Sequence, residues 1–265
     1  MSFRLSRKEL VDTDQLSKML EHSPGKAAQA ILASAGQGVV EAQVLLGQIL
    51  LDGRGIEQDP RLARQWFEIA ARNGHPMGHN MLGRSLEHGW GGPQNLEIAA
   101  QHYRQAAALG LDWGLYNYAN LLATGRGVGQ DHAAALGCYQ QAADLGHAKS
   151  MNLVGRYLEQ GVACRADIEL AHTWYRRSAE AGDFRGQFSF ATVLFESGAL
   201  EQAQDWFNRA LTGGNLNFLR VATRQLEVSG SQALGALAQA YRKRLEYLET
   251  GESKPAAIDA GSAIA

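Results

Sequence analysis

Residues 42–74, AQVLLGQILLDGRGIEQDPRLARQWFEIAARNG, hold two helical patterns separated by a glycine-marked turn. In the first, Ala42 to Leu51 carries apolar residues at helical spacing with Gly47 in the middle. In the second, Pro60 to Arg72 sets Ala63, Trp66, Phe67, Ala70 and Ala71 on one face by i, i+3, i+4, i+7, i+8 spacing. Pro60 suits a first turn, where its missing N–H has no intrahelical role, and Asp59 precedes it as an N-cap. Gly74 follows as a left-handed closing residue.

The same pattern returns every 36 residues, as Gly74, Gly110, Gly146 and Gly182 show. Gly53, Gly89, Gly125 and Gly161 keep that period, and so do Gly55, Gly91 and Gly127, with Ala163 in the fourth place. Asp59, Asn95, Asp131 and Asp167 keep step, as do Ala63, Ala99, Ala135 and Ala171 and the aromatics Phe67, Tyr103, Tyr139 and Tyr175. In the first helices, Leu46, Leu82, Tyr118 and Val154 recur beside Gly47, Gly83, Ala119 and Gly155. A small residue there lets a neighbouring helix approach closely, which offsets the ~1 kcal/mol that glycine costs a helix.

Outside this register the pattern decays. Residues 1–38 read as a degenerate N-terminal helical cap, with Ala27, Ile31, Ala35 and Gly38 in second-helix positions and Leu10 to Glu21 as the partner helix. Residues 39–182 are four regular repeats. Residues 183–214 are a fifth, keeping Gly186, Ala203, Trp206, Phe207 and Gly214 but with its glycine loop reduced to Ser197-Gly198-Ala199. Residues 215–249 form a capping hairpin of Asn217 to Val228 and Ser231 to Glu249, whose charged last helix gives a solenoid a soluble end. Residues 250–265 read as a disordered tail of small and polar residues.

The motifs A-x3-L-G-x2-L (Ala42, Leu46, Gly47, Leu50), G-x-G-x3-D and A-x2-W-F-x2-A-A-x2-G resemble the Sel1-like repeat family, relatives of the tetratricopeptide repeat with a longer loop between helices. The resemblance covers about Ala27 to Gly214. It implies an all-α fold, a right-handed α-α superhelix of five to six helix hairpins, with first helices on the concave side and an adaptor role between proteins.

Composition narrows the function. A net charge of −2 and a pI near 6.4 give no general attraction for nucleic acid or anionic membrane. No apolar run is long enough to span a bilayer, and the charged segment Met1 to Leu20 does not read as a signal peptide, so a soluble cytoplasmic protein is expected. Cys138 and Cys164 are too few for a disulfide framework. Cys138 takes a column held elsewhere by Trp66, His102, Trp174 and Trp206, so it reads as a packed thiol, while Cys164 lies in a loop.

Other motifs fail on context. Gly125-Arg126-Gly127-Val128-Gly129 has neither the βαβ setting of a dinucleotide fingerprint nor the G-K-[ST] of a P-loop, and it reads as a turn. Ser23-Pro24-Gly25-Lys26 matches S-x-x-K, but the S-D-N and K-T-G partners of penicillin-recognising enzymes are absent. Some cysteine-rich secreted members of the resembled family are linked to β-lactam binding, and this chain lacks their regular cysteine pairs, so that link does not carry over. His75 and His79 lie four apart, but His75 precedes Pro76 and no third ligand accompanies them. Asp12 with Asp14, and Glu180 with Asp183, read as solvated carboxylates. No catalytic residue, cofactor or metal is therefore expected.

By analogy with tetratricopeptide helices, the positions two and six after the small first-helix residue face the groove. They are Val44, Asn80, Tyr116, Asn152, Phe188 and Gln48, Arg84, Asn120, Arg156, Thr192. The position before the small residue is Glu41, Met77, Trp113, Lys149 or Arg185, and Glu87 and Glu159 lie at the far end. These columns vary where core columns do not. Asn80, Arg84, Trp113, Tyr116, Asn120, Asn152, Arg156 and Phe188 are the expected partner-binding residues, since aromatics and arginine anchor interfaces and amides bond extended backbone. Alanine at Asn120 and Arg156 is expected to weaken binding without lowering the melting temperature. The function expected is a protein-interaction scaffold in a bacterial cell, holding a peptide or protein in that groove. The competing readings are a β-lactam or cell-wall hydrolase and a structural protein that self-associates through its solenoid ends.

Overall fold

The structure is a computed structural model and describes residues 21–229 and 232–251. Among the described residues there are thirteen α-helices, one short 3-10 turn and no strand. The chain divides into two compact units, with the division between Gln130 and Asp131. It falls inside the third sequence repeat, between that repeat's first and second helices. The first unit holds α1 (Pro24–Gly36), α2 (Val40–Asp52), α3 (Pro60–Arg72), α4 (Pro76–His88), α5 (Leu96–Ala108) and α6 (Asp112–Thr124). The second holds α7 (His132–Asp144), α8 (Ala148–Gln160), α9 (Ile168–Glu180), α10 (Phe184–Glu196), α11 (Leu200–Gly213) and α12 (Leu216–Val228). The 3-10 turn Gln232–Leu234 and α13 (Gly235–Thr250) complete it. First helices also stack on first helices: α2 on α4, α4 on α6 and α8 on α10.

The repeated residues explain the repeated geometry. Asp59, Asn95, Asp131 and Asp167 each accept a hydrogen bond from the backbone N–H three residues on, all at 2.9 Å, and so start α3, α5, α7 and α9. The other end is set by Gly74, Gly110, Gly146 and Gly182, which follow these helices with φ of 75°, 81°, 94° and 88°. Packing depends on the mid-helix glycines. A Cβ on Gly47 would lie 2.4 Å from the Phe67 ring, one on Gly83 2.8 Å from Tyr103, and one on Gly155 2.6 Å from Tyr175. The missing side chain lets each hairpin close on its own buried aromatic. Phe67 and Tyr103 are fully buried, each stabilising the fold by ~2–3 kcal/mol.

The long loop is more demanding. Gly55, Gly91 and Gly127 have φ of 74°, 72° and 69°, and a Cβ on them would meet the backbone of Pro24, Pro60 and Leu96 at 2.1–2.4 Å. In the fourth loop Ala163 takes this place at φ 56°, the one non-glycine residue with positive φ among the described residues. A β-carbon in that region costs roughly 1–2 kcal/mol.

The ends differ in detail from the sequence reading. Helix α1 buries Ala27, Ala28, Ile31 and Ala35 as expected, but starts at Pro24, so Ser23 is simply the residue before a helix. The expected partner helix, Leu10 to Glu21, lies outside the described residues except for Glu21. Gly214 is extended at φ −67°, so it does not close α11 in the left-handed way. It is needed for close approach, because a Cβ there would sit 2.5 Å from the Phe218 ring. The last helix starts at Gly235 rather than Ser231, after the 3-10 turn, and runs through Thr250 to a left-handed Gly251. The remainder of the expected tail, residues 252–265, lies outside the described residues.

Candidate functional site

In the first unit several of the expected partner-binding residues are engaged in contacts within the fold. Asn80 is buried at 3% exposure, and its Oδ1 accepts from Asn117 Nδ2 at 2.8 Å, tying α4 to α6. The Arg84 guanidinium lies 5.1 Å from the centre of the Trp90 ring, and Trp113 packs edge-on to Tyr116 at 6.0 Å. Asn120 is half-buried, and its backbone carbonyl accepts from Thr124 Oγ1 at 2.7 Å. Glu87 accepts from Tyr103 Oη at 2.7 Å and from Arg126 Nη1 at 3.1 Å. Burial first, then Glu87, pushes the Tyr103 hydroxyl far above the usual phenol range, so it stays a donor.

The second unit brings Asn152, Arg156 and Phe188 onto one groove of about 1040 Å³. Helix α8 supplies Asn152, Arg156 and Glu159, α10 supplies Arg185, Phe188, Ser189 and Thr192, and α12 supplies Asn217, Val221, Arg224, Gln225 and Val228. Its floor is aromatic: Phe188 meets Phe207 at 5.2 Å and Phe218 at 5.7 Å, both edge-on. Asn152 is 4% exposed, and its Oδ1 accepts from Ser189 Oγ at 3.1 Å, so here too the asparagine clips one first helix to the next. Arg156 and Arg224 are exposed. Glu159 accepts from Tyr175 Oη at 2.8 Å, and burial, then this bond, keeps that hydroxyl protonated.

The α12 wall was not among the expected residues, because the last hairpin lies outside the 36-residue register. Its sequence signal is an exposed apolar pair one heptad apart, Val221 and Val228, at 58% and 78% exposure. Also unforeseen was a contact of His79, whose Nδ1 lies 3.0 Å from His102 Nδ1, linking α4 to α5. Burial lowers both pKa values, and for His102 the proximity of His79 lowers it further while Glu68 opposes. His75 is engaged elsewhere, its Nδ1 accepting from Gly78 N–H at 3.3 Å as the cap of α4. Burial raises the Cys138 thiol pKa, as a packed thiol requires. Cys164 Sγ donates to the Tyr157 carbonyl at 3.5 Å. Among the described residues no group of three or more His, Cys, Asp or Glu could hold a metal ion, and no helix is long and apolar enough to cross a membrane.

The comparisons with known proteins agree with this architecture. A Sel1 repeat profile matches residues 40–75, 76–111, 114–147 and 148–183. No curated protein sequence matches the chain. A Sel1 repeat protein from Oxalobacter formigenes is similar in structure, with a TM-score of 0.75 at 21% identity over 91% of this chain and 100% of that one. So is a protective antigen of uropathogenic Escherichia coli strains displaying an SLR fold, with a TM-score of 0.65 at 27% identity over 88% of this chain. The match covers 52% of that antigen, so the chain spans about half its length. An immunity protein from Pseudomonas aeruginosa shares the fold at 15% identity, over 80% of each chain, with a TM-score of 0.52. With four matched repeats filling more than half of its length, the chain belongs to the Sel1 repeat family.

Proposed function

We propose that this protein is an interaction scaffold that holds a segment of another protein in the groove of its second unit. The observation that carries the reading is the groove itself: three first helices, α8, α10 and α12, line one open channel with an aromatic floor and a polar rim. Interfaces of this build take anchoring side chains on the floor and align backbone along the rim. Members of the Sel1 repeat family are commonly protein-interaction scaffolds, which supports the same reading. The reading gives the protein no catalytic step and places its work in the bacterial cytoplasm. Of the residues expected to bind a partner, Arg156 and Phe188 keep a direct role, while Asn80 and Asn152 act by holding neighbouring first helices in register.

Affinity capture from a native lysate tests this with three proteins. They are the wild type, Thr192→Trp, which fills the channel from α10, and Gln141→Trp on the exposed surface of α7. Partners are expected to be lost with Thr192→Trp and kept with Gln141→Trp. Retention of every partner by Thr192→Trp removes the groove from the function. Concentration-dependent mass in light scattering, with no captured partner, points to self-association instead.

A further inference from the structure

Three arginines line the groove, one on each of its first helices: Arg156 on α8, Arg185 on α10 and Arg224 on α12. None of them forms an ion pair among the described residues. This is not for lack of carboxylates nearby. On the same hairpin Arg220 pairs with Glu249 at 2.9 Å, and Arg242 takes Glu227, which lies on α12 itself. Of the two acidic residues lining the groove, Glu159 is already bonded to the Tyr175 hydroxyl, and Glu196 ends α10. Arg185 rests on its neighbour Phe184, 4.6 Å from the ring centre, and its charge also favours the ionised form of the buried Asp183 carboxyl without forming an ion pair with it. In a protein of net charge −2, this groove is lined by an excess of cations.

The apolar part of the lining alternates with these charges. On α12, Val221 and Val228 flank Arg224 and Gln225, and Phe188 and Phe218 lie beneath. Packed helices stand 8–10 Å apart, so three in a row span about 18 Å, the length of roughly five or six extended residues. Asn217, Gln225 and Gln160 supply amides that bond backbone in either direction.

We infer that the occupant of the groove is an acidic segment of another protein, about six residues long, in which carboxylates alternate with bulky apolar side chains. The inference rests on the scaffold reading above. The carboxylates meet Arg156, Arg185 and Arg224 while the apolar side chains cover Phe188 and the Val221–Val228 stripe. Charge-assisted bonds to arginine then set specificity, and the apolar contacts supply most of the affinity.

The test is selection of a displayed random eight-residue peptide library on the intact protein, followed by sequencing. The wild type is expected to enrich segments with at least two more acidic than basic residues and at least one Leu, Ile or Phe. The double variant Arg156→Glu/Arg224→Glu is expected to lose that enrichment tenfold or more. Both arginines are exposed, so the variant is expected to fold, and circular dichroism is the check on that. A neutral or basic pool that disappears with Thr192→Trp overturns the acidic occupant and leaves the groove standing. No enrichment on the wild type, or a pool indifferent to Thr192→Trp and to a second blocking variant, Gln225→Trp, overturns the groove reading as well. Self-association abolished by Arg224→Glu makes the occupant a second copy of this chain and also overturns the proposal.

Discussion

Replacing Ala163 with glycine should make this protein more stable, although glycine substitutions usually do the reverse. Ala163 holds φ 56° at a loop position where the sister repeats place Gly55, Gly91 and Gly127. Its β-carbon costs roughly 1–2 kcal/mol in the left-handed region. Glycine removes that cost but gives the unfolded chain more freedom, a loss of about 0.5–1 kcal/mol. Ala163 is exposed, so deleting its methyl forfeits little packing. The balance is a gain of about 0.5–1 kcal/mol. With a urea m-value of about 2 kcal/mol/M, the midpoint should rise by about 0.3–0.5 M. The mirror substitution, Gly127→Ala, carries both the left-handed penalty and a Cβ 2.4 Å from the Leu96 backbone, which cannot swing aside as a side chain could. It should lose about 2–4 kcal/mol. Urea titration followed by circular dichroism measures both, with unchanged m-values showing that the same transition is compared. A lower midpoint for Ala163→Gly, or a Gly127→Ala protein as stable as wild type, refutes this account of the loop.

Gly155→Ala should destabilise by about 1 kcal/mol, because overpacking against Tyr175 outweighs the ~1 kcal/mol gain in helix propensity; a net gain in urea stability would show that the hairpin does not need the close approach. Asn80→Ala should cost about 1–2 kcal/mol by leaving the Asn117 amide without its acceptor, whereas Asn80→Leu/Asn117→Leu should come close to neutral. A double-mutant cycle with no coupling would mean the clip is ornamental. The His79–His102 pair has both pKa values below the usual 6.5, so the folded state binds fewer protons than the unfolded one near that pH. Stability should be complete above about pH 6.5 and fall as the pH drops through the lowered values. His102→Trp, which restores the sister residue, should flatten the urea-midpoint profile between pH 7.5 and 5; an unchanged slope would assign it to other groups.

The fold was legible because each structural task recurs with the same residue type. Asp59 and its sisters cap, Gly47 and its sisters admit an aromatic ring, and each column reports one environment several times over. The site was less legible because partners in a solenoid lie in different columns. Asn80 and Asn152 vary from their sisters, as a partner-reading residue should, yet both are buried and bonded to a side chain 37 residues on. The usable signal was joint: Asn117 and Ser189 are polar in just the repeats that follow Asn80 and Asn152. His79 and His102 are likewise a matched exception in two columns, and only distance reveals the match. The α12 wall escaped for a different reason, since a capping hairpin has no sister to be compared with.

The polar side chains follow a second period, twice that of the backbone. Asn80, Arg84, Glu87 and Tyr103 recur 72 residues later as Asn152, Arg156, Glu159 and Tyr175, while the first repeat places Val44, Gln48, Leu51 and Phe67 there. The coupling is chemical. A buried tyrosine hydroxyl needs an acceptor, and Glu87 and Glu159 supply it to Tyr103 and Tyr175, whereas Phe67 needs none and has Leu51. The third repeat departs from this pairing, with Tyr139 buried and Ala123 in the glutamate column. The two cassettes then meet different loops. In the first unit Arg84 lies over Trp90 and Glu87 bonds Arg126, so both charges are answered within the fold. In the second unit the residue in the column of Trp90 is Val162, and the shortened loop Ser197-Gly198-Ala199 carries no arginine to match Arg126. Arg156 is left facing an open groove. The same four residues thus consolidate one unit and, on the scaffold reading proposed above, equip the other for a ligand, with substitutions in the loops, rather than in the helices that carry the charges, making the difference.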